Sequence, residues 1–375
     1  MRVLLDATAV PADRGGVGRY VDELVPELLR SGVDLVLAVQ QRDVEHYGRI
    51  APGARVEAAP AATERRPVRR LWEQTGLPAL VRSVGADVLH SPHYTMPARA
   101  GVPVVVTLHD ATFFTTPELH LRSKAVFFRS AIRGASRRAA ALVVPSRATR
   151  DEVLRLVGGD TDRFHVAYHG VDHGLFRPTS VEQQAAVRAS LDIGDAPYVG
   201  FLGTLEPRKN VSALVRAWVR ACEDRTDPPA LVLAGGRGWD TQIDDAIAQV
   251  PDHLVVRRPG YLPLEDLPAF LGGATVLAYP SLGEGFGLPV LEAMACGATV
   301  LTTRMLSLPE VGGDAVAYSG TDDASIATEL AALLDDPARR AGLAGQAVER
   351  AQGFTWAEAA RTHVAAYEAA VRTRR

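Results

Sequence analysis

"SLGEGFGLPVLEAMACG", residues 281–297, sets two glutamates eight positions apart around a glycine-punctuated turn. The apolar run before it, "TVLAYP" at 275–280, reads as a buried strand. Glycines at 283, 285 and 287 then make a turn, and Pro289 suits a first helical turn, where its missing amide costs nothing. Gly297 closes the helix. A strand that feeds a tight turn and a helix start is the repeating unit of a parallel sheet, and it aims helix-start amides and the positive end of a dipole at one place. That place suits an anion. Glu292, about one turn into the helix, is too far along to cap those amides, but a carboxylate beside a phosphate site is placed to accept hydrogen bonds from sugar hydroxyls. Glu284 can do the same for a second sugar. The plainer alternative is that Glu292 complements the helix dipole and Glu284 is a solvated loop residue.

Working outward, short hydrophobic runs alternate with amphipathic stretches along the whole chain, the pattern of parallel sheets covered by helices. Strands are expected at 3–5, 35–39, 87–90, 103–109 and 141–146, and again at 198–203, 230–235, 254–256, 275–280 and 299–303. Two α/β sheets result. Residues 177–197 are polar, bounded by prolines and lack a strand, so the domain boundary is placed there, as a linker. The domains expected are 1–176, 177–355, and a final amphipathic helix at 356–375. Tandem parallel sheets would put the carboxyl ends of their strands across a cleft from one another.

Composition sets limits. The chain has 375 residues, 47% hydrophobic and 23% charged, enough for two or three buried cores. Two cysteines, Cys222 and Cys296, give no disulfide framework and no zinc site, which fits a reducing compartment. The opening "MRVLLDATAV" reads as a first strand interrupted by Asp6. No apolar stretch approaches the roughly 18 residues of a membrane span. A cytoplasmic protein is expected. Net charge is −3, yet residues 1–180 carry 24 basic and 19 acidic side chains against 17 and 25 in the remainder, so the halves suit different partners.

Other stretches place chemistry at strand ends. "FLGTLEPRKN" at 201–210 ends a strand at Gly203 and delivers Arg208 and Lys209 just before a helix, with Asn210 as its N-cap. A guanidinium fork and a point charge together suit a diphosphate; a solvated basic loop is the alternative. Lysine occurs only at 124 and 209. "RGGVGRYVDELV" at 14–25 follows the first strand but lacks the third glycine of a dinucleotide fingerprint, which disfavours a nicotinamide oxidoreductase. "VVVTLHDATFF" puts His109 and Asp110 at the end of a buried strand, where histidine can act near a transferred group or bond the backbone. His169 and Asp172, in "YHGVD", read as structural. Arg129, Arg133 and Arg137 lie at helical spacing in a stretch of six basic residues and no acid at 121–140. That face suits either solvent or an anionic membrane surface.

Taken together and in order, these segments resemble the retaining GT-B glycosyltransferases, in particular the large family-4 group. The resemblance rests on "EGFGLPVLEAMACG" as the E-x7-E motif, "GGVGRY", the His109–Asp110 pair, Pro145–Ser146, "HGVD" and "EPRKN". It implies two Rossmann-like parallel-sheet domains facing a central cleft, the first binding the acceptor and the second a nucleotide-activated sugar, with the last helix crossing back to the first domain. By this likeness Glu292 holds the ribose and Glu284 the donor sugar. Arg208 and Lys209, with amides of Gly285, Phe286, Gly287 and Leu288, hold the diphosphate beside Gly203, and Gly16 approaches it from the other domain. The base lies at Gly236 and on the backbone of Tyr261 and Leu262. His109 contacts the transferred sugar, so His109, Glu284, Arg208 and Lys209 form the expected catalytic group.

Thr204 stands where many relatives have arginine, and His169 where many have asparagine. The resemblance implies transfer of a hexose, with GDP-mannose the first donor considered, to a glycan, lipid-linked or small-molecule hydroxyl. No evident nucleophile favours front-side substitution, with no metal and no cofactor beyond the donor substrate. The paired aspartates at 244–245, 322–323 and 335–336 fall in helical contexts. No nucleic-acid partner is expected. A nucleotide-sugar epimerase and a non-catalytic binding protein are the competing readings.

Overall fold

Two parallel sheets organise the chain, and both are wound in the same order. In the computed structural model, which describes residues 1–12 and 14–373, the first sheet contains β1 (Arg2–Asp6), β2 (Asp34–Val39), β3 (Arg55–Ala58), β4 (Val88–Ser91), β5 (Val104–Thr107), β6 (Ala141–Val144) and β7 (Phe164–Val166). Its order is β3-β2-β1-β4-β5-β6-β7. The second contains β8 (Tyr198–Leu202), β9 (Ala230–Ala234), β10 (Val256–Gly260), β11 (Val276–Tyr279), β12 (Val300–Thr303) and β13 (Ala317–Ser319), in the order β10-β9-β8-β11-β12-β13. Each has the doubly wound arrangement in which strand order reverses beside the first strand, and ligands of such sheets bind outside the carboxyl ends of the strands at that reversal. The reversals lie between β1 and β4 and between β8 and β11.

The central strands are apolar because helices cover both faces. Val3, Leu4, Leu5, Val105, Val106, Val199, Phe201, Leu277 and Ala278 are fully buried. Edges obey a different rule. β3, β7 and β13 were not expected from the sequence: each is three or four residues long and only partly buried, so no apolar run announces it. β10 begins at Val256, later than the expected 254–256, and carries Pro259, which an edge strand tolerates because the missing amide can face away from the ladder.

Contacts divide the chain into one unit of Met1–Gly170 with Thr355 onward, and a second of Val171–Phe354. Residues 177–197 are therefore not a bare linker. They carry the helix Val181–Ser190, started by a reciprocal capping box between Ser180 and Gln183 and packed within the second unit on the helix Leu267–Gly272. The polar composition that suggested a linker is the solvent face of a short helix whose Val187 is buried.

The last helix, Trp356–Arg372, starts at a Thr355 cap and packs on the helix Gly15–Arg30 and on β4 to β7 of the first unit. Arg374 and Arg375, included in the expected helix, lie outside the described residues. Gly170 is where this docking is tightest: a Cβ there would overlap the backbone of Thr355 and Trp356. Gly170→Ala should cost about 1–3 kcal/mol of stability, as overpacking does. Chemical denaturation measures it, and an unchanged midpoint would contradict the docking.

Candidate functional site

In the second unit, β8 and β11 pair side by side, with Leu277 opposite Gly200, so the loops that follow them emerge together. After β8 the chain makes one tight turn at Pro207–Lys209 and enters the helix Val211–Cys222. Asn210 occupies the N-cap position but does not cap through its side chain. It adopts the left-handed region at φ 58° and donates from Nδ2 to the Thr321 carbonyl at 2.7 Å. After β11, the turn reaches Gly287 at φ 108°, where a Cβ would crowd Leu308, and the helix Leu288–Ala295 begins with Pro289 in its first turn.

Three charged side chains from these loops meet. Glu284 Oε2 lies 2.6 Å from Arg208 Nη1, and Glu284 Oε1 accepts from Lys209 Nζ at 2.7 Å. Arg208 also donates to the Gly283 carbonyl at 2.6 Å and stands 3.6 Å from Glu206. Lys209 and Glu284 are each 8% exposed. Burial alone would raise the Glu284 carboxyl, but Arg208 and Lys209 override it and hold it down to about 2. Burial lowers Lys209, and the Glu284 charge works against that.

A layer of hydroxyls holds the carboxylate, and the sequence reading missed it. Ser281 Oγ stands 2.6 Å and Tyr279 OH 3.1 Å from Glu284 Oε1. Tyr279 OH also takes a hydrogen bond from Lys209 Nζ, whose ammonium lies 4.7 Å from the ring centre. Ser307 Oγ stands 2.8 Å from the carbonyls of both Glu284 and Phe286, which fixes the turn from beneath. The signal was present as polar groups at the end of an otherwise apolar strand, "AYPS". Glu292 sits in the second helical turn, 2% exposed, and its charge adds to burial in raising the Cys296 thiol.

The loops after β9 and β10 join the same edge. Leu205 N–H donates to Gly236 O at 2.9 Å, and Gly235 N–H to Gly260 O at 2.7 Å. Gly235 must be glycine: its φ is 124°, and a Cβ would overlap the Gly203 carbonyl. Tyr261 is 71% exposed and brings its hydroxyl over Gly236, while Leu262 is half-buried. Gly203, Arg208, Lys209, Gly236, Tyr261, Leu262, Glu284, Gly285, Phe286, Gly287, Leu288 and Glu292 thus all belong to one edge of the second sheet or to the helix that begins there.

His109 and Gly16 belong to the first unit. His109 follows β5, and its Nε2–H donates to the Pro92 carbonyl at 2.7 Å, which leaves Nδ1 as the acceptor of a neutral ring. Burial lowers its pKa. Asp110 has a local role: its Oδ1 accepts from Thr112 N at 3.0 Å and Thr112 Oγ1 at 2.7 Å. Gly16 lies in the first turn of Gly15–Arg30 with open space where a Cβ would be. Arg14, to which the sequence reading gave no role, holds that loop. At φ 54° it is strained for a side-chain-bearing residue, and its guanidinium is fixed by Asp22, by Asp43 at 3.0 Å and by Tyr47 OH at 3.0 Å. His169 stacks on Trp356 at 5.4 Å, which gives the histidine at this position a packing role. Asp172 Oδ1 accepts from Gly174 N at 2.8 Å, a turn contact as expected.

The basic face at 121–140 is not a uniform row. Arg129 is half-buried and donates to the Phe113 carbonyl at 2.6 Å, and Arg133 lies over the Phe114 ring at 5.0 Å, so both help to hold the one-turn helix Thr112–Thr115. No helix among the described residues is long and apolar enough to cross a membrane. No group of three or more His, Cys, Asp or Glu side chains among them is arranged to hold a metal ion.

Comparison with known proteins shows the family. Residues 14–175 match Glycosyltransferase Family 4, and residues 183–350 match Glycosyl transferases group 1. The chain is 30% identical to the O-antigen chain mannosyltransferase B of Escherichia coli, over 98% of this chain and 100% of that protein. It is 29% identical to the D-inositol 3-phosphate glycosyltransferase of Kineococcus radiotolerans, over 96% of this chain and 92% of that one. Among solved structures, Anabaena HepE in complex with UDP-glucose shares the fold with a TM-score of 0.73, at 19% identity and covering 100% of this chain and 99% of that one. The chain belongs to the family-4 group of GT-B glycosyltransferases and is a sugar-transferring enzyme.

Because Glu284 titrates near 2 instead of 4.5, it contributes stability that is complete above about pH 4.5 and is lost as pH falls toward 2. Glu284→Gln removes the charge that pairs both cations and should cost about 3–5 kcal/mol, read as a lower melting temperature. Added pyrophosphate should raise that temperature more in the variant than in the wild type, since it replaces the missing anion. Equal melting temperatures would contradict the ion-pair account.

Proposed function

We propose that the enzyme moves a hexose from a nucleoside-diphosphate sugar to a hydroxyl acceptor with retention of anomeric configuration, and that its donor is GDP-mannose. The observation that carries this reading is the cluster of half-buried Arg208 with buried Lys209 and Glu284 at the reversal point of the second sheet. A guanidinium and an ammonium side by side match a diphosphate, and a carboxylate between them matches the hydroxyls of the sugar attached to it. The likeness to a mannosyltransferase supports the choice of sugar. Gly285 to Leu288 would meet the diphosphate at the helix start, Glu292 the ribose, and the loops at Gly236, Tyr261 and Leu262 the base.

In the proposed reaction the acceptor oxygen bonds to the anomeric carbon as the bond from that carbon to the diphosphate oxygen breaks, both on one face. The acceptor proton passes to the departing diphosphate. Arg208 and Lys209 stabilise the charge that develops there, which is the contribution a metal ion would otherwise supply. His109, a neutral ring with Nδ1 as acceptor, contacts the transferred sugar, and Gly16 offers open backbone to the donor. Of Arg129, Arg133 and Arg137, the exposed Arg133 and Arg137 would meet an anionic membrane surface, because Arg129 is engaged elsewhere.

Retention is tested by incubating the enzyme with GDP-mannose and a panel of hydroxyl acceptors, and reading the product's anomeric configuration by NMR. The donor's configuration is expected; the opposite one would overturn the mechanism, and an epimer of mannose released with no acceptor product would favour the nucleotide-sugar epimerase. Lys209→Ala should weaken GDP binding about 10- to 100-fold, the equivalent of one or two charge-assisted hydrogen bonds, with unchanged affinity removing Lys209 from the phosphate site. His109→Ala should lower turnover far more than it lowers nucleotide affinity. Near-normal transfer by that variant would displace His109 from the reacting sugar.

A further inference from the structure

Beneath His109 lies a line of five hydrogen bonds buried in the first unit. His363 Nδ1 is 2.7 Å from the Ala359 carbonyl, His363 Nε2 is 2.6 Å from Tyr20 OH, and Tyr20 OH is 2.9 Å from Thr107 Oγ1. Thr107 Oγ1 is 2.9 Å from His90 Nε2, and His90 Nδ1 is 2.8 Å from Tyr367 OH. Tyr20, His90, Thr107, His363 and Tyr367 are each 1% exposed or less. Two come from the last helix, and three from the helix Gly15–Arg30, β4 and β5.

One carbonyl dictates the direction of every proton in this line. Ala359 O only accepts, so His363 Nδ1 carries the hydrogen, and burial keeps the ring neutral, with its pKa lowered to about 4. Nε2 must then accept from Tyr20. Having given its only proton to His363, Tyr20 accepts from Thr107, Thr107 from His90 Nε2–H, and His90 Nδ1 from Tyr367. Bonds aligned in this way polarise one another and favour a single arrangement. The Tyr20 ring held by this line meets His109 edge-on at 5.0 Å and 83°, and also packs on His169 at 5.1 Å.

We propose that Tyr20 and His363 are positioning residues for His109: the polarised line from Ala359 to Tyr367 fixes the face on which the His109 ring rests, so that the last helix is a working part of the transfer site. The proposal rests on His109 lying beside the transferred sugar. It adds that this placement is set from a residue 254 positions away in sequence, on an element with no expected part in the chemistry.

The test combines ring spectroscopy with turnover. Histidine ¹⁵N spectra of the wild type at pH 7 should show His363 protonated on Nδ1 and His90 on Nε2, both neutral; a cationic His363, or the opposite tautomers, would overturn the line. Turnover is read as release of GDP from GDP-mannose, or of the corresponding diphosphate from whichever UDP-, TDP- or ADP-hexose the enzyme uses. Tyr20→Phe keeps the ring and cuts the line, and should lower kcat roughly 10- to 100-fold with the donor KM changed by less than about twofold.

His363→Leu should behave like Tyr20→Phe. His363→Gln, whose amide oxygen can stand where Nε2 accepts, should keep most of the turnover. Equal loss in the Gln and Leu variants, or wild-type kcat in Tyr20→Phe, would reduce the line to a packing feature. If His109→Ala transfers sugar normally, the reading beneath the proposal has failed, while the tautomers still report on the line itself.

Discussion

A carboxylate held between a guanidinium and an ammonium is the constraint on which the second unit turns. Glu284 comes from the loop after β11, and Arg208 and Lys209 from the loop after β8, 76 and 75 positions earlier. Their contact ties together the two strand ends at which the sheet reverses its order. Leu282 N–H to Arg208 O at 2.9 Å and Ser281 Oγ near the same carbonyl reinforce the join through the backbone. Burying Lys209 and Glu284 beside a half-buried Arg208 is costly, and the cost is offset only because each meets opposite charge and further hydrogen bonds at short range. The same arrangement explains why hydroxyls crowd this region: Tyr279, Ser281 and Ser307 hold the carboxylate and its turn in one place. On the proposed reading, donor binding presents a diphosphate to cations that a carboxylate already occupies, and the site is ordered before the donor arrives.

The first unit uses the same winding to a different end. Its reversal lies between β1 and β4, and the chain after β1 carries Arg14 and then Gly16, in the first turn of the helix Gly15–Arg30. There a strained arginine is fixed by two carboxylates and a phenol, and the backbone beside it stands open. His109, after β5, is neutral and oriented by one backbone carbonyl. The first unit thus sets ion pairs at Arg14 and, around His109, rings and neutral hydrogen bonds with Tyr20 at their centre.

The sequence disclosed what local patterning controls. Strands buried on both faces are continuous apolar runs, so β1, β5, β8 and β11 were legible, as was the turn that ends in Gly287 and Pro289. Edge strands such as β3 and β13 are short and half-exposed, and carry no such run. The helix Val181–Ser190 was hidden for the same reason, since few of its side chains are buried. Arg208, Lys209 and Glu284 could each be singled out from their loops, but their mutual contact depends on which strands are neighbours, and spacing does not encode that. Tyr20 and His363 are 343 positions apart, and each reads alone as an ordinary residue of an amphipathic helix.

The central claim is that the edge of the second sheet between β8 and β11 is a nucleoside-diphosphate site. Calorimetric titration of the full chain with GDP, UDP, TDP and ADP, each with and without a chelator, tests it most directly. The account predicts that one of them, GDP first, binds at one site with an affinity that the chelator leaves unchanged. Binding of none of the four would contradict it, and binding abolished by the chelator would contradict the metal-free form of the mechanism.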